Sequence, residues 1–225
     1  MLYQLDMTLW TNDVSFNLIG INFGNRMTCI QLEDGSFWLH SPTKFNLETY
    51  NEIKEKGNIS YLVTPSLMHN LFVMDWKEHE LLSQLVAPKH VKKVSVDFYF
   101  DDITNEDLNK LFNDEISGVP INGMPMLQEY AFIHHRSKTL ILTDLAFNFK
   151  NVSSSWTKIF LQLYGAYNKF GPTITIRTLI RDKKAFRNSL DKILEFDFDR
   201  IIVSHGEIVE TNGRSVFVNA FQKYL

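Results

Sequence analysis

The stretch YLVTPSLMHN, residues 61–70, places polar residues and a histidine directly after a short apolar run. A run of this length and composition predicts a buried strand, so the polar residues lie at its carboxyl end. Two later stretches have the same form: TLILTD ends in Asp144, and IIVSH ends in His205. Because the carboxyl ends of strands in α/β proteins converge on one crevice, His69, Asp144 and His205 are candidate ligands of one metal ion.

The composition narrows the classes of protein to which this chain can belong. Its 225 residues, of which 44% are hydrophobic and 13% aromatic, can bury a sizeable core, and we predict a single domain over residues 1–225. The formal charge of -3 provides no broad basic surface, so we expect no nucleic-acid partner. No signal-like start and no apolar run long enough to cross a bilayer occur, so we expect a cytoplasmic protein with no membrane partner. The single cysteine, Cys29, lies in an apolar run, which predicts a buried thiol rather than a nucleophile.

Strands and helices alternate roughly along the chain, which favours the α/β class. We predict strands at Met27–Leu32, Ser36–His40, Tyr61–Thr64, Lys93–Phe100, Tyr130–His134, Thr139–Thr143 and Ile201–Ser204. We predict helices at Phe45–Lys56, Trp76–Leu85, Asn105–Phe112, Ser155–Tyr164, Asp182–Phe196 and Val216–Tyr224. The dipeptide Asp34-Gly35 predicts a tight turn between the first two strands, and Gly118–Pro125 is predicted to be rich in turns.

Each candidate ligand also has a purely structural interpretation. A histidine such as His205, just past a buried strand, is commonly a hydrogen-bonded turn residue, and Asp144 can cap a turn through its side chain. His69 can cap the segment that follows it. Glu129 stands in an apolar neighbourhood, where an unpaired carboxylate is costly, so it needs a partner; a metal ion and Arg26 are the candidates.

Other motifs for catalysis are weak or missing from the sequence. His134 and His135 fall at a predicted hairpin turn, and His79 and His90 have no companion at ligand spacing. The glycines form no phosphate loop, and no Gly-x-Ser-x-Gly nucleophile elbow occurs. These observations disfavour serine hydrolase chemistry.

Five phrases, taken with the order of elements, resemble a divergent branch of the metallo-β-lactamase-like superfamily over nearly the whole chain. The phrases are Leu39–Pro42, Val63–Phe72, Gly123–Phe132, Leu142–Asn148 and Val203–Glu207. The resemblance implies a four-layer αββα sandwich of two mixed β-sheets flanked by helices, with metal held at one edge by loops that follow strands.

The chain departs from the superfamily pattern at several ligand positions. Typical members carry Thr-His-x-His-x-Asp-His where this chain has residues 64–70, so both early histidines are missing, His69 occupies the position of the aspartate, and Asn70 replaces the last histidine. The segment Asn122–Met126 also lacks the expected histidine. Asp144 matches the bridging aspartate, and His205 matches the final histidine.

The resemblance therefore implies a reduced site with one divalent ion held by His69, Asp144 and His205. Zinc is the first expectation, and iron and manganese are also compatible with two imidazoles and a carboxylate. Glu129 is implied as a further ligand or as the general base. His40, which stands where typical members place an aspartate, is implied as a group that orients a ligand.

The function implied by the resemblance is a metal-dependent hydrolase that acts on a small ester, thioester, lactone or phosphoester. Arg26 and Asn70 are candidates for contacts with such a substrate or with the ligands. The alternative is a degenerate member that keeps the fold but serves in binding or interaction, and an iron oxidoreductase is a third hypothesis. The sequence predicts neither the substrate nor the oligomeric state.

Overall fold

The structure is a computed structural model that describes residues 1–18, 20–91, 94–150, 152 and 154–225. These residues group into two compact units. The first unit contains Met1–Val14 and Asn25–Ser117, and the second contains Ser15–Gly24 and Gly118–Leu225. The single-domain interpretation stays a prediction.

The strands of the described residues are β1 (Tyr3–Asp6), β2 (Leu9–Val14), β3 (Asn17–Leu18), β4 (Ile21–Asn22), β5 (Asn25–Gln31), β6 (Phe37–His40), β7 (Ile59–Val63), β8 (Gln84–Ala87), β9 (Phe98–Tyr99), β10 (Ile116–Pro120), β11 (Tyr130–His134), β12 (Thr139–Leu142), β13 (Phe147–Asn148), β14 (Phe170–Gly171) and β15 (Arg200–Val203). The helices are α1 (Leu47–Lys54), α2 (Val73–His79), α3 (Asn105–Leu111), α4 (Ser155–Leu163), α5 (Ile174–Leu179), α6 (Lys183–Ile193) and α7 (Gly213–Phe221). No helix among them has both the length and the apolar composition needed to cross a bilayer.

The first unit is built on a mixed sheet of order β1-β2-β5-β6-β7-β8-β9. Pairing is antiparallel from β1 to β6 and parallel from β6 to β9. In the parallel pair of β6 and β7, His40 stands opposite Val63, so both strands end at the same edge of the sheet. The loops that follow them therefore begin side by side.

The hairpin of β5 and β6 confirms the turn predicted at Asp34-Gly35. Gly35 has a φ of 82°, a conformation that favours glycine, and the N–H of Leu32 donates to the carbonyl of Ser36 across the turn. Cys29 on β5 is fully buried, as predicted, and burial raises the pKa of its thiol. A protonated thiol without solvent access is a poor nucleophile.

The second unit is built on a mixed sheet of order β10-β11-β12-β15. Strands β11 and β12 pair as the predicted hairpin, whereas β12 and β15 run parallel with Leu142 opposite Val203. The parallel register brings the carboxyl ends of β12 and β15 to the same edge. Asp144 and His205 follow those two ends, each by two residues.

Helices α3 and α6 each begin after a residue whose side chain caps the helix N-terminus. Asp182 accepts hydrogen bonds from the N–H groups of Lys184 and Ala185 at the start of α6, and Thr104 accepts one from Asp107 at the start of α3. Helix α6 buries an apolar face in the core of the second unit, as its sequence pattern predicts. The α/β class, with mixed sheets flanked by helices, is confirmed.

One predicted helix extends too far. The prediction of Trp76–Leu85 as a helix is wrong at both ends, because α2 begins at Val73 and ends at His79, and Leu85 lies in the parallel strand β8. The apolar triplet at the end of β8 is fully buried within the sheet, and burial on both faces removes the alternation that marks a strand in sequence.

Two further stretches differ from the prediction. Gly118–Pro125 contains the end of strand β10, where Pro120 is tolerated because this strand lies at the edge of its sheet. Of the predicted strand Lys93–Phe100, only β9 is a strand, and Lys93 lies outside the described residues.

Candidate metal centre

The His205 ring is oriented by a hydrogen bond to a backbone carbonyl. Its Nδ1 lies 2.8 Å from the carbonyl oxygen of Gly24, and because a carbonyl oxygen only accepts, Nδ1 carries the proton. In the neutral ring Nε2 is then the nitrogen that carries the in-plane lone pair. A histidine that donates one ring N–H to a backbone carbonyl and presents the other nitrogen is the usual arrangement at protein metal sites.

The ring plane and the backbone of His205 are fixed by β13. The ring stacks on Phe147 with centroids 5.3 Å apart and planes 10° apart. The N–H of Asn148 donates to the carbonyl of His205 over 3.2 Å, and the N–H of Glu207 donates to the carbonyl of Asn148 over 2.7 Å. Gly206, between them, has a φ of 96°, and a Cβ there would lie 2.4 Å from the carbonyl oxygen of Asn148. Only glycine fits this position.

Asp144 is buried beside His205 and is positioned by Glu129. Its Oδ1 lies 3.5 Å from His205 Nε2. The carboxylate of Glu129 accepts three backbone hydrogen bonds, from the N–H groups of Thr143 (2.7 Å), Asp144 (3.1 Å) and Leu145 (2.8 Å). Glu129 therefore fixes the loop that presents the Asp144 side chain.

The environment of Glu129 favours its neutral form. Burial, followed by the charge of Asp144, raises the pKa of Glu129 to about 8, although the hydrogen bonds from Thr143 and Leu145 oppose this shift. The sequence led us to expect a metal ion or Arg26 as the partner of this carboxylate. The structure supplies backbone N–H groups instead, and the role of Glu129 as a general base stays a prediction.

In the first unit, His69 lies in the loop after β7 and contacts Ser41. Ser41 Oγ lies 2.7 Å from His69 Nδ1. Ser41 is buried at the end of β6 with a φ of 53°, a region that non-glycine residues rarely adopt, and its N–H donates to the carbonyl of Val63. Strained residues of this kind cluster at functional sites. The contact leaves His69 Nε2 as the ring nitrogen that can serve as a ligand.

His40 is a buried neighbour of His69. Its ring stacks on Trp38 with centroids 5.3 Å apart, and burial, followed by the nearby His69, holds the pKa of His40 well below its usual range. His40 is therefore neutral and can donate or accept a hydrogen bond, as a group that orients a ligand must. Asn70 follows His69 in the same loop and is half-buried.

Arg26 has a partner on the neighbouring strand. The residue stands opposite Asp13 in the antiparallel pair of β2 and β5. Its Nε and Nη2 donate to the two carboxylate oxygens of Asp13, each over 2.7 Å. This bidentate pair accounts for the burial of the Arg26 side chain. A contact between Arg26 and a substrate stays a prediction.

The sequence matches no protein-family model and no curated protein. Many solved metallo-β-lactamases match over the full chain. The enzyme from Pontibacter korlensis aligns with a TM-score of 0.65 at 11% identity, covering 99% of this chain and 98% of that one. The enzyme from Hirschia baltica aligns with a TM-score of 0.64 at 11% identity, covering 100% and 97%. FIM-1 from Pseudomonas aeruginosa aligns with a TM-score of 0.66 at 10% identity, covering 100% and 94%.

This chain has a metallo-β-lactamase-like fold. The resemblance predicted from five short phrases is thereby confirmed at the level of the fold, although the sequence identity is low. Within that fold His69, Asp144 and His205 each offer a ligand atom of a kind that binds divalent ions.

The metallo-β-lactamase-like fold also contains site residues that the sequence did not assign. Ser41 belongs to one of the phrases that resemble the superfamily. Its contact with His69 joins residues 28 positions apart, so no short sequence motif indicates it. Gly206 is different, because a glycine directly after a candidate ligand at a strand end is itself a signal of a close backbone approach. The carbonyl of Gly24, which orients His205, cannot be identified from its residue type.

Proposed function

We propose that this chain is a metal-dependent hydrolase with one divalent ion bound by His69, Asp144 and His205. The observation that carries the proposal is the hydrogen bond from His205 Nδ1 to the carbonyl of Gly24. In the neutral form of the ring, that bond places the proton on Nδ1, so that Nε2, 3.5 Å from Asp144 Oδ1, is the nitrogen that can bind an ion. A cation bound between these two atoms would compensate the charge of the Asp144 carboxylate, which is costly to bury without a partner.

The donor set fits zinc first. Two imidazole nitrogens and one carboxylate oxygen are a zinc ligand set with a fourth position open, and iron and manganese accept the same donors. When bound, such an ion supplies Lewis-acid polarisation and lowers the pKa of water towards neutrality. Among the solved structures of this fold, FIM-1 from Pseudomonas aeruginosa was determined in a mono-zinc form, which supports one ion as sufficient to occupy the site.

The residues of the chain have separate roles in this proposal. Gly24 and Ser41 orient the imidazoles of His205 and His69, and Ser41 Oγ accepts from His69 Nδ1 when Nε2 binds the ion. Glu129 positions the loop of Asp144 and, with its raised pKa, is able to hold a proton near neutral pH. We assign to this site a small ester, thioester, lactone or phosphoester as substrate.

The test combines turnover with metal content. Purified chain loaded with zinc, iron or manganese is assayed against panels of chromogenic esters, thioesters, lactones and phosphoesters. We expect turnover that requires one ion per chain and is lost in His205→Ala, whereas His90→Ala, an exposed histidine in a loop, keeps it.

Three outcomes would contradict the hydrolase proposal. Stoichiometric metal without turnover on any panel would reject the hydrolase and leave a metal-binding protein. Absence of both metal and turnover would favour the degenerate protein with a binding or interaction role. Turnover that persists in His205→Ala would place the chemistry elsewhere.

A further inference from the structure

A cleft in the second unit carries an excess of positive charge. It has two adjoining parts of about 330 Å³ and about 380 Å³, which share Arg177, Lys223 and Tyr224. Lys169 lines the first part and Lys183 the second. We call the whole the basic cleft; its remaining lining residues are Asn219, Ala220, Gln222, Ile174, Thr178 and Ile180.

The four cations of the basic cleft are not neutralised by the protein. Within the described residues none of the four makes an ion pair, and the lining contains no aspartate or glutamate. Three other cations of the same unit are in ion pairs: Lys138 with Asp197, Arg187 with Asp191 and Arg200 with Glu210. The whole chain has a formal charge of -3, so this concentration of unpaired cations runs against its overall balance.

Arg177 is fixed in a position suited to bind an oxyanion. Its side chain is half-buried, and Nε donates to the carbonyl of Pro172 over 3.1 Å. In the part of the chain that the structure describes, neither Nη group of Arg177 makes a hydrogen bond, so their four N–H donors remain for a ligand. A guanidinium offers its donors in a planar fork that matches phosphate oxygens, and holding Nε in place reduces the entropy lost on binding.

The basic cleft also has aromatic and aliphatic lining residues beside its cations. The Tyr224 ring is held edge-to-face against Phe186, with centroids 5.2 Å apart, and Lys223 Nζ lies 5.3 Å from the Tyr224 ring centroid. In the second part of the basic cleft, Ile174 and Ile180 add apolar lining to the cations. A charged group at the shared residues would therefore have an apolar surface beside it that is able to accept a small organic group.

We propose that the basic cleft binds the phosphate group of a small organic phosphate. The phosphate lies between Arg177 and Lys223, with Lys169 and Lys183 adding to the field on either side. The organic group lies against Tyr224 and the two isoleucines. This site is independent of the proposed metal centre, and the chain does no chemistry on the ligand there.

The experiment uses phenylphosphonate, a phosphate analogue whose carbon–phosphorus bond resists hydrolysis. Binding to the purified chain is measured by calorimetry at constant ionic strength, beside inorganic phosphate. We expect saturable binding of phenylphosphonate that is tighter than that of inorganic phosphate. Arg177→Gln should weaken it about tenfold or more, since a charge-assisted hydrogen bond pair is lost. Arg187→Gln, which removes an equal charge from a paired arginine, should leave it unchanged.

Two variants separate the basic cleft from the metal centre. Asp144→Asn should bind phenylphosphonate like the unmodified chain, whether or not the hydrolase proposal is correct. Lys223→Gln, a change at an exposed side chain that does not threaten the fold, should weaken binding in the same direction as Arg177→Gln.

Three results would overturn the proposal. Absence of saturable binding at millimolar concentration rejects the site. Binding that is lost in Asp144→Asn and kept in Arg177→Gln places the ligand on the metal centre. Equal affinity for inorganic phosphate and phenylphosphonate rejects the organic group and leaves a site for free phosphate.

Discussion

Replacement of Glu129 by glutamine tests whether this residue positions the loop of Asp144. In the native chain Oε1 accepts from the N–H of Thr143, and Oε2 accepts from those of Asp144 and Leu145. The best orientation of a glutamine places its oxygen at the Oε2 position and keeps two of these bonds. Its NH₂ group then faces the N–H of Thr143, which loses its acceptor in a buried setting.

The expected loss of stability follows from this single N–H group without an acceptor. One buried donor without an acceptor costs about 1–3 kcal/mol, so Glu129→Gln should lower the free energy of unfolding by that amount at pH 7. Because the loop also carries a proposed ligand, zinc affinity should fall about tenfold or more.

The assays are urea denaturation of the metal-free chain, followed by circular dichroism, and competition for zinc with a chelator. Glu210→Gln is the matched control, because it makes the same chemical change at an exposed residue of the same unit. It should alter neither quantity by more than experimental error. If Glu129→Gln keeps native stability and native zinc affinity but loses turnover, Glu129 is a general base and the positioning role is wrong.

Three further predictions concern residues that orient or flank the proposed metal ligands. Ser41→Ala removes the contact that orients His69 and should weaken zinc binding about 10–100-fold in chelator competition, whereas Ser137→Ala, which breaks a serine–histidine contact outside the centre, should not. Gly206→Ala should lower the free energy of unfolding by about 1–3 kcal/mol in urea, since its Cβ meets a backbone oxygen at positive φ; unchanged stability would contradict the close approach. In the metal-free chain, stability should fall as pH rises from about 5 to about 8. Over that interval folded Glu129 keeps a proton that the unfolded chain releases, and a flat profile identical to that of Glu129→Gln would refute the raised pKa.

The positions of Asp144 and His205 could be predicted because local patterns carry them. Each follows a short apolar run, and parallel pairing of those two runs in one sheet is enough to bring their ends together. The hairpins were predictable for a similar reason, since Asp34-Gly35 dictates a turn of a defined kind. These features depend on residues that are close in sequence.

The contacts that orient the ligands could not be predicted in the same way. The acceptor for His205 Nδ1 is a backbone carbonyl 181 residues earlier, and any residue type supplies a carbonyl. The partners of Glu129 are likewise backbone groups, made available by the path of a loop rather than by side-chain chemistry. Strand β8 falls within a predicted helix because an apolar run buried on both faces has no periodicity that separates a strand from a helix.

The central claim is that this chain binds one metal ion through His69, Asp144 and His205. Its most direct test is the metal content of the purified chain, without an affinity tag, by inductively coupled plasma mass spectrometry after zinc loading and dialysis. We predict about one ion per chain in the native sequence, and essentially none in Asp144→Ala/His205→Ala, whose fold is checked by circular dichroism. A native chain that retains no ion, or a folded double variant that retains as much metal as the native chain, would contradict the claim.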